Sequence, residues 1–190
     1  MSLEAAYLWL DLVIAFGGPV ALLLLCARGV LPGVVRPLFA LGAALGLCWE
    51  VPIFTLSALG STPLITGLGE MPVGWPVFMI GHSLWDGLLF LAGLALVVLL
   101  RPAPHLTHLC WQDLAILVGW GQVSALAVEL SGIWAGGWAY VPGHWWNPTL
   151  FWTRGEPITL FIQVVWLVAS VVYLPLANHL VRRARQLPAR

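Results

Sequence analysis

Long apolar runs follow one another along the chain, separated by short segments that carry most of the charged residues. Five runs reach the roughly 20 residues that a helix needs to cross the hydrocarbon core of a bilayer. They lie near 7–27, 37–59, 77–100, 112–133 and 157–181. The pattern predicts an all-α, multi-pass integral membrane protein whose five helices form one domain over residues 1–190. The first run is too long for the core of a signal peptide, so we expect it to be retained as a membrane helix.

Composition supports this interpretation and narrows the function. The chain is 61% hydrophobic and 8% charged, and its formal net charge is zero. Its mean hydropathy of +0.94 excludes an ordinary soluble domain. The basic residues are all arginines and form no patch that would bind nucleic acid. The three cysteines have no metal-type spacing and are interpreted as buried free thiols.

The arginines also predict an orientation. If five helices cross in turn, the arginines after the first, third and fifth helices share one side of the membrane. Only Arg154 falls on the other side. The positive-inside rule then places the N-terminus outside and the C-terminus inside. The arginines on the inner side are Arg28, Arg36, Arg101, Arg182, Arg183, Arg185 and Arg190.

The outer loop at 134–156 is rich in aromatic residues. An interfacial belt accounts for part of this density. The rest favours either a folded cap that closes a lipophilic pocket or a structural re-entrant loop, and the sequence leaves both open. The tryptophans and the tyrosine in this loop are Trp134, Trp138, Tyr140, Trp145, Trp146 and Trp152.

Ionisable residues interrupt the middle of the apolar runs. His82 and Asp86 are four residues apart on the third helix and therefore lie on one face. Asp86 is about halfway along that helix, as Glu50 is along the second. Such residues are costly in hydrocarbon and usually serve a function. Two structural alternatives stay open: Glu50 could bond backbone groups freed by Pro52, and His82 could only position Asp86.

The later helices add polar groups at similar depth. Gln122 and Glu129 lie seven residues apart on one face of the fourth helix, and Gln163 precedes Trp166 on the fifth. The glutamines serve equally well as hydrogen-bond links between helices, and Trp166 as packing. Asp11 and Asp113 lie near helix ends and are left out of the predicted site.

This set of intramembrane carboxyls with a histidine is suited to proton transfer. Desolvation disfavours the charged form of a carboxyl, and a second ionisable group nearby separates the proton affinities of the pair. One apolar cavity would then hold a proton donor and a proton acceptor, beside aromatic faces that stabilise a carbocation. Known nucleophile, phosphate-loop and metalloprotease motifs are absent from the sequence. We expect no cofactor and no metal, and the histidine pair His105 and His108 lacks acidic or cysteine partners.

In these features the chain resembles the emopamil-binding protein (EXPERA) family of sterol Δ8–Δ7 isomerases. Besides the two intramembrane acids, the similarity lies in the segments VGWGQ at 118–122, NPTLFW at 147–152 and QVVWLV at 163–168. It implies that Glu50 and Asp86 transfer protons and that Trp166 faces a cationic intermediate. Two residues depart from the family: Gly46 stands where it has a histidine, and Asp86 replaces a glutamate. His82 would then supply the imidazole.

The acid-bearing helices also resemble membrane-bound meroterpenoid cyclases. The likeness rests on CWE at 48–50 and LWDGLLF at 84–90, which place Trp49 and Trp85 beside the two acids. A weaker similarity to carotenoid cyclases and hydratases lies in ELSG at 129–132, GWAY at 137–140 and GEP at 155–157. All three families imply carbocation chemistry on isoprenoid lipids.

The predicted function is therefore that of a membrane isomerase that shifts a double bond in a sterol-like or isoprenoid lipid. Glu50, Asp86 and His82 are the predicted catalytic residues. The alternatives are a terpene or carotenoid cyclase and a non-catalytic lipid-binding protein. The expected partners are the lipophilic substrate and membrane lipids, and the sequence leaves a homodimer open. The predicted substrate-binding residues are Trp166, Gln163, Gln122, Glu129, Trp49 and Trp85.

Overall fold

A computed structural model describes residues 3–60, 62–70 and 72–186. Within these residues five helices are long and apolar enough to cross a membrane, which confirms the prediction of a mostly helical protein with five helices of this kind. Many large apolar side chains stay exposed on the helices, as expected for surfaces that face lipid. The helices are α1 (Leu3–Ala27), α2 (Val35–Leu59), α3 (Trp75–Leu100), α4 (Trp111–Trp134) and α5 (Leu160–Gln186).

The tightest contact between helices lies between α2 and α3 and depends on glycine. Gly42 and Gly46 are one turn apart on α2, and Gly87 faces Gly42 from α3. A Cβ atom at Gly42 would lie 3.0 Å from Gly87 Cα, and one at Gly87 would lie 2.7 Å from the Phe39 ring. Small residues let membrane helices approach closely. This approach brings the middle of α2, which carries Glu50, against the middle of α3.

Four short strands lie in the two long loops, and the all-α prediction did not include them. They are β1 (Ile65–Gly67), β2 (Trp138–Tyr140), β3 (Thr149–Thr153) and β4 (Glu156–Thr159). β1 pairs antiparallel with β2, so the loop after α2 is joined to the loop after α4. β3 and β4 form a hairpin. We call these loops and strands, the described residues within 60–74 and 135–159, the cap.

Side chains attach the cap to the helices. The Ser57 hydroxyl near the end of α2 accepts hydrogen bonds from the backbone amides of Leu64 and Ile65. The Asn147 side chain accepts a bond of 2.8 Å from the amide of Phe161, in the first turn of α5. α5 was predicted to begin near residue 157. It begins at Leu160 because the preceding residues belong to β4.

The opposite end of the bundle carries most of the arginines. Asp113, which was left out of the predicted site, is buried here and accepts a hydrogen bond of 3.1 Å from Arg101. His105 and His108 lie at this end, remote from Glu50. The cysteine interpretation was only partly right. Cys26 is buried, whereas Cys48 is exposed on α2.

Candidate active site

A cavity of about 270 Å³ lies inside the bundle, beneath the cap. All five helices and the paired strands β1 and β2 contribute to its walls, so side chains far apart in sequence meet here. Its volume is near the lower end of the range for small-molecule sites, roughly 300–1,000 Å³. The ionisable and aromatic residues that line it are Tyr7, Asp11, Glu50, Phe54, Phe78, His82, Trp85, Asp86, Glu129, Trp138, Tyr140 and Trp166.

Four carboxyls line this cavity, and the three that are buried come from three different helices, while the fourth, Asp11, is half-buried on α1. Glu50 lies on α2, Asp86 on α3 and Glu129 on α4, and all three are buried. Among the described residues, Asp86 Oδ2 and Glu129 Oε2 have no hydrogen-bond partner. Within the same described residues, no hydrogen bond joins the Glu50 side chain to the backbone around Pro52. Buried polar atoms without partners are uncommon and call for an explanation, of which a catalytic role is one.

The imidazole of His82 lies between two carboxyls. Its Nδ1 is 3.8 Å from Glu50 Oε2, and its Nε2 is 3.5 Å from Asp11 Oδ2. Within the described residues, no hydrogen bond or ion pair joins His82 to Asp86, so the structure gives no support to the alternative that His82 only positions Asp86. The two nitrogens instead face α1 and α2.

Aromatic rings surround His82. The ring centroids of Phe54, Phe78 and Trp138 lie 5.6, 5.5 and 5.0 Å from that of the imidazole. Trp138 belongs to β2, so the cap completes this enclosure. The packed rings hold the imidazole in one orientation, with its nitrogens directed at Asp11 and Glu50.

Asp86 lies in space that is free because Gly46 has no side chain. A Cβ atom at Gly46 would lie 2.5 Å from Asp86 Oδ2 and 3.0 Å from Asp86 Cβ. A histidine at position 46, as in the family that the sequence resembles, would collide with Asp86 in this arrangement. Gly46 and Asp86 are therefore complementary, and the imidazole beside Glu50 comes from His82.

A second aromatic group forms the wall around Trp166. The centroid of the Trp166 ring lies 5.0 Å from that of Phe90 and 6.1 Å from that of Trp49. Phe90 in turn stacks on Tyr173 at 4.3 Å. Trp166 lines the cavity, and Trp49 lies behind it. The ring next to the cavity is thus held by packing on several sides.

Glu129 and Tyr140 form a polar group on the α4 side of the cavity. Tyr140, on β2, is buried and interacts electrostatically with Glu129. Burial, with a smaller contribution from the Glu129 carboxyl, raises the pKa of Tyr140 well above its usual value. The phenol therefore stays neutral and keeps its proton for a hydrogen bond.

Six of the nine predicted site residues line the cavity, and three do not. Gln122 donates a hydrogen bond of 3.0 Å to the backbone carbonyl of Gln163, which is the link between helices that the sequence left open. Trp49 and Gln163 also lie outside the cavity wall. The six that line it are Glu50, His82, Trp85, Asp86, Glu129 and Trp166.

Four polar or aromatic groups of the site were not among the predicted site residues. Asp11 was set aside as near a helix end, yet it lies eight residues into α1, about 12 Å along the helix axis. A carboxyl at that depth was a usable signal. Tyr7, Trp138 and Tyr140 reach the cavity through tertiary contacts that no local pattern reveals.

In the described residues, no three His, Cys, Asp or Glu side chains are grouped so as to hold a metal ion. The chain matches no protein-family model, and comparison with curated proteins and with solved structures found no significant match.

Proposed function

We propose that this protein is a cofactor-independent isomerase that shifts a carbon–carbon double bond in a sterol-like or other isoprenoid lipid. One observation carries the proposal: four carboxyls, three of them buried, and an imidazole meet in a single cavity whose other walls are mainly apolar and aromatic. An apolar cavity selects a lipophilic molecule. Several proton-carrying groups inside it give that molecule acid–base chemistry.

The reaction needs one acid and one base. The acid adds a proton to one alkene carbon, which leaves a carbocation. The base then removes a proton from a neighbouring carbon, and the double bond re-forms one position away. Glu50 and Asp86 take these two roles, because their helices are in close contact and both side chains line the cavity.

The carbocation between these steps needs electron-rich surroundings. Trp166 and Trp85 present indole rings to the cavity. The face of an indole attracts a cation, by about 2 kcal/mol or more where water is excluded. Packing against Phe90 and Trp49 holds the Trp166 ring in place before charge develops, which is the condition for effective electrostatic stabilisation.

A polar substrate group has its own partners. Glu129 and Tyr140 offer an acceptor and a neutral donor on the α4 side. A hydroxyl of an isoprenoid alcohol or a sterol both donates and accepts, and so satisfies this pair. We therefore assign Glu129 and Tyr140 to orientation of the substrate.

The resemblance to the EXPERA family supports the same assignment. Glu50, Asp86 and Trp166, which correspond to the functional residues of that family, all line the cavity. The histidine that the family carries on its second helix is replaced by His82, whose Nδ1 is 3.8 Å from Glu50. Gln163, which would replace a family asparagine, does not line the cavity.

The charge pattern favours a definite orientation of the bundle. We propose that the cap lies on the outer side, together with the N-terminus, and that the arginine-rich end lies inside. The five helices then form one membrane domain whose cavity lies towards the outer leaflet.

A terpene or carotenoid cyclase is the second candidate. The several aromatic rings along the cavity favour it, because a cyclising chain needs stabilisation at more than one cationic centre. A lipid-binding protein without activity is the third. Product analysis separates the three.

The test is incubation of the purified protein in D2O with candidate sterols and isoprenoids. A product isomeric with the substrate that carries one carbon-bound deuterium supports the isomerase. A new ring supports the cyclase, and unchanged lipid recovered with the protein supports a binder; either result overturns the isomerase. Glu50→Gln and Asp86→Asn should each lower turnover by about 100-fold or more. Asp113→Asn, outside the cavity, is the matched control.

A further inference from the structure

We infer that Asp11 and His82 form a proton relay to Glu50, which makes Glu50 the proton donor and Asp11 a residue of the catalytic machinery. The inference rests on the proposed function. His82 Nδ1 lies 3.8 Å from Glu50 Oε2 on one side, and its Nε2 lies 3.5 Å from Asp11 Oδ2 on the other. An imidazole passes a proton by accepting it at one nitrogen and releasing it from the other.

The relay restores one part of the proton balance of the reaction. In each cycle Glu50 gives its proton to an alkene carbon and becomes a carboxylate. The Asp86 carboxylate removes a proton from the neighbouring carbon and becomes neutral. The product has the same formula as the substrate, but the two side chains have exchanged protonation states. Glu50 must gain a proton and Asp86 must lose one before the next cycle. The relay reloads Glu50 from solvent while the product is still bound, and Asp86 releases its proton to water that enters as the product leaves.

The contacts of His82 direct this recovery to Glu50. The rings of Phe54, Phe78 and Trp138 enclose the imidazole in an orientation in which its nitrogens face Glu50 and Asp11. Asp11 Oδ2 and His82 Nε2 are both buried, and neither has a hydrogen-bond partner among the described residues. They are close enough to exchange a proton once a small shift shortens their separation of 3.5 Å.

Asp11 is held at this position from α3. The indole Nε1 of Trp85 donates a hydrogen bond of 3.2 Å to the Asp11 backbone carbonyl, which fixes α1 against α3 at the level of His82. The carboxyls that face His82 come from three helices: Asp11 from α1, Glu50 from α2 and, acting electrostatically, Glu129 from α4. Of these, only Asp11 and Glu50 lie within 4 Å of a ring nitrogen.

The relay predicts an isotopic result that a structural role for Asp11 would not give. With the relay intact, Glu50 is reloaded from solvent, and each product formed in D2O carries one deuterium. With the relay broken, Glu50 recovers a proton only by direct transfer from Asp86 before water enters the cavity, and this is the proton that Asp86 took from the substrate. That proton returns to the next substrate molecule, and the deuterium content of the product falls.

The experiment compares Asp11→Asn with wild type in D2O and measures the rate of product formation and the deuterium per product by mass spectrometry. We expect slower turnover and deuterium content falling towards zero after the first cycle. Asp11→Glu, which keeps a carboxyl, should restore the label, and Asp113→Asn should leave it unchanged. An Asp11→Asn protein that turns over with one deuterium per product overturns the relay.

Two further outcomes are decisive. If Asp11→Asn shows no steady turnover, protein equilibrated in D2O should still give one labelled product per molecule of protein and then stop. A folded variant without this burst overturns the relay, with folding checked by circular dichroism. His82→Gln should reproduce the loss of label if Asp11→Asn does not fold. Failure of the wild type to isomerise any substrate would instead overturn the proposed function itself.

Discussion

Gly46 links the packing of two helices to the position of a carboxyl. A Cβ atom there would lie 2.5 Å from Asp86 Oδ2 and 3.1 Å from Ser83 Cα, which is backbone and cannot move aside cheaply. The same absence of a side chain therefore permits the contact between α2 and α3 and leaves room for the carboxyl in the cavity.

Gly46→Ala should consequently lower both stability and turnover. Overpacking of this kind costs about 1–3 kcal/mol, and displacement of Asp86 removes a predicted catalytic group. Thermal unfolding in detergent and product formation are the measurements. Gly119→Ala is the matched control, since a Cβ atom at Gly119 meets nothing within 4 Å. Equal stability and activity of the two variants would contradict this account of Gly46.

Trp166 carries the second prediction at this scale. If its ring stabilises a carbocation, Trp166→Leu should lose about 2 kcal/mol of transition-state stabilisation, roughly a 30-fold drop in kcat. Trp166→Phe, which retains a weaker aromatic face, should lose less. Trp111→Leu is the control, because Trp111 is 73% exposed at the opposite end of the bundle. A leucine variant as active as the phenylalanine variant would show that the ring only fills space.

The sequence indicates candidate residues because an ionisable side chain costs free energy in hydrocarbon. This criterion found the carboxyls that lie well inside the apolar runs. Glu50, Asp86 and Glu129 were found in this way, and all three line the cavity. Asp11 escaped because its distance from the helix end was underestimated. Gln122 was assigned to the substrate, although an amide also satisfies a neighbouring backbone. The direction in which a side chain points depends on the rotation of its helix, which sequence does not specify.

Among the structural elements, the helices were predictable and the strands were not. Each helix is a long apolar run, and its period and length are local properties of the sequence. β1 and β2 are three residues each and are paired across more than 70 residues of sequence. No local pattern specifies such a pairing. The aromatic loop was therefore predicted as either a cap or a re-entrant segment, and its strands emerged only from the fold.

The attachment of β1 to α2 can be tested at Ser57. Its hydroxyl accepts two backbone hydrogen bonds, from Leu64 and Ile65. Ser57→Ala leaves both amides without this partner, at a cost of about 1–3 kcal/mol for each that stays buried. We expect a lower midpoint of thermal unfolding and faster hydrogen exchange at both amides. Thr66→Ala, on the exposed middle residue of β1, should change neither. Unchanged exchange in Ser57→Ala would mean that the β-pairing alone holds the strand.

In the whole molecule, the cap and the bundle depend on each other to form the cavity. Trp138 and Tyr140 enter it from β2, and Ile65 enters it from the paired strand β1. The site is thus formed by all five helices and two loops. The sequence could indicate which residues are costly at mid-membrane depth, but their convergence on one cavity follows from how the helices are arranged around the bundle.

The orientation of the bundle is the prediction that applies to the whole molecule. Arginines cluster at the end opposite the cap, so the positive-inside rule places the cap outside. In a variant whose three cysteines are replaced by serine, a single cysteine is introduced at Trp145, which is 92% exposed in the cap, or at Ala184, exposed near the end of α5. A membrane-impermeant maleimide should label Trp145→Cys in intact cells and Ala184→Cys only after the membrane is opened. The reverse pattern would place the cap inside, and the substrate would then reach the cavity from the inner leaflet.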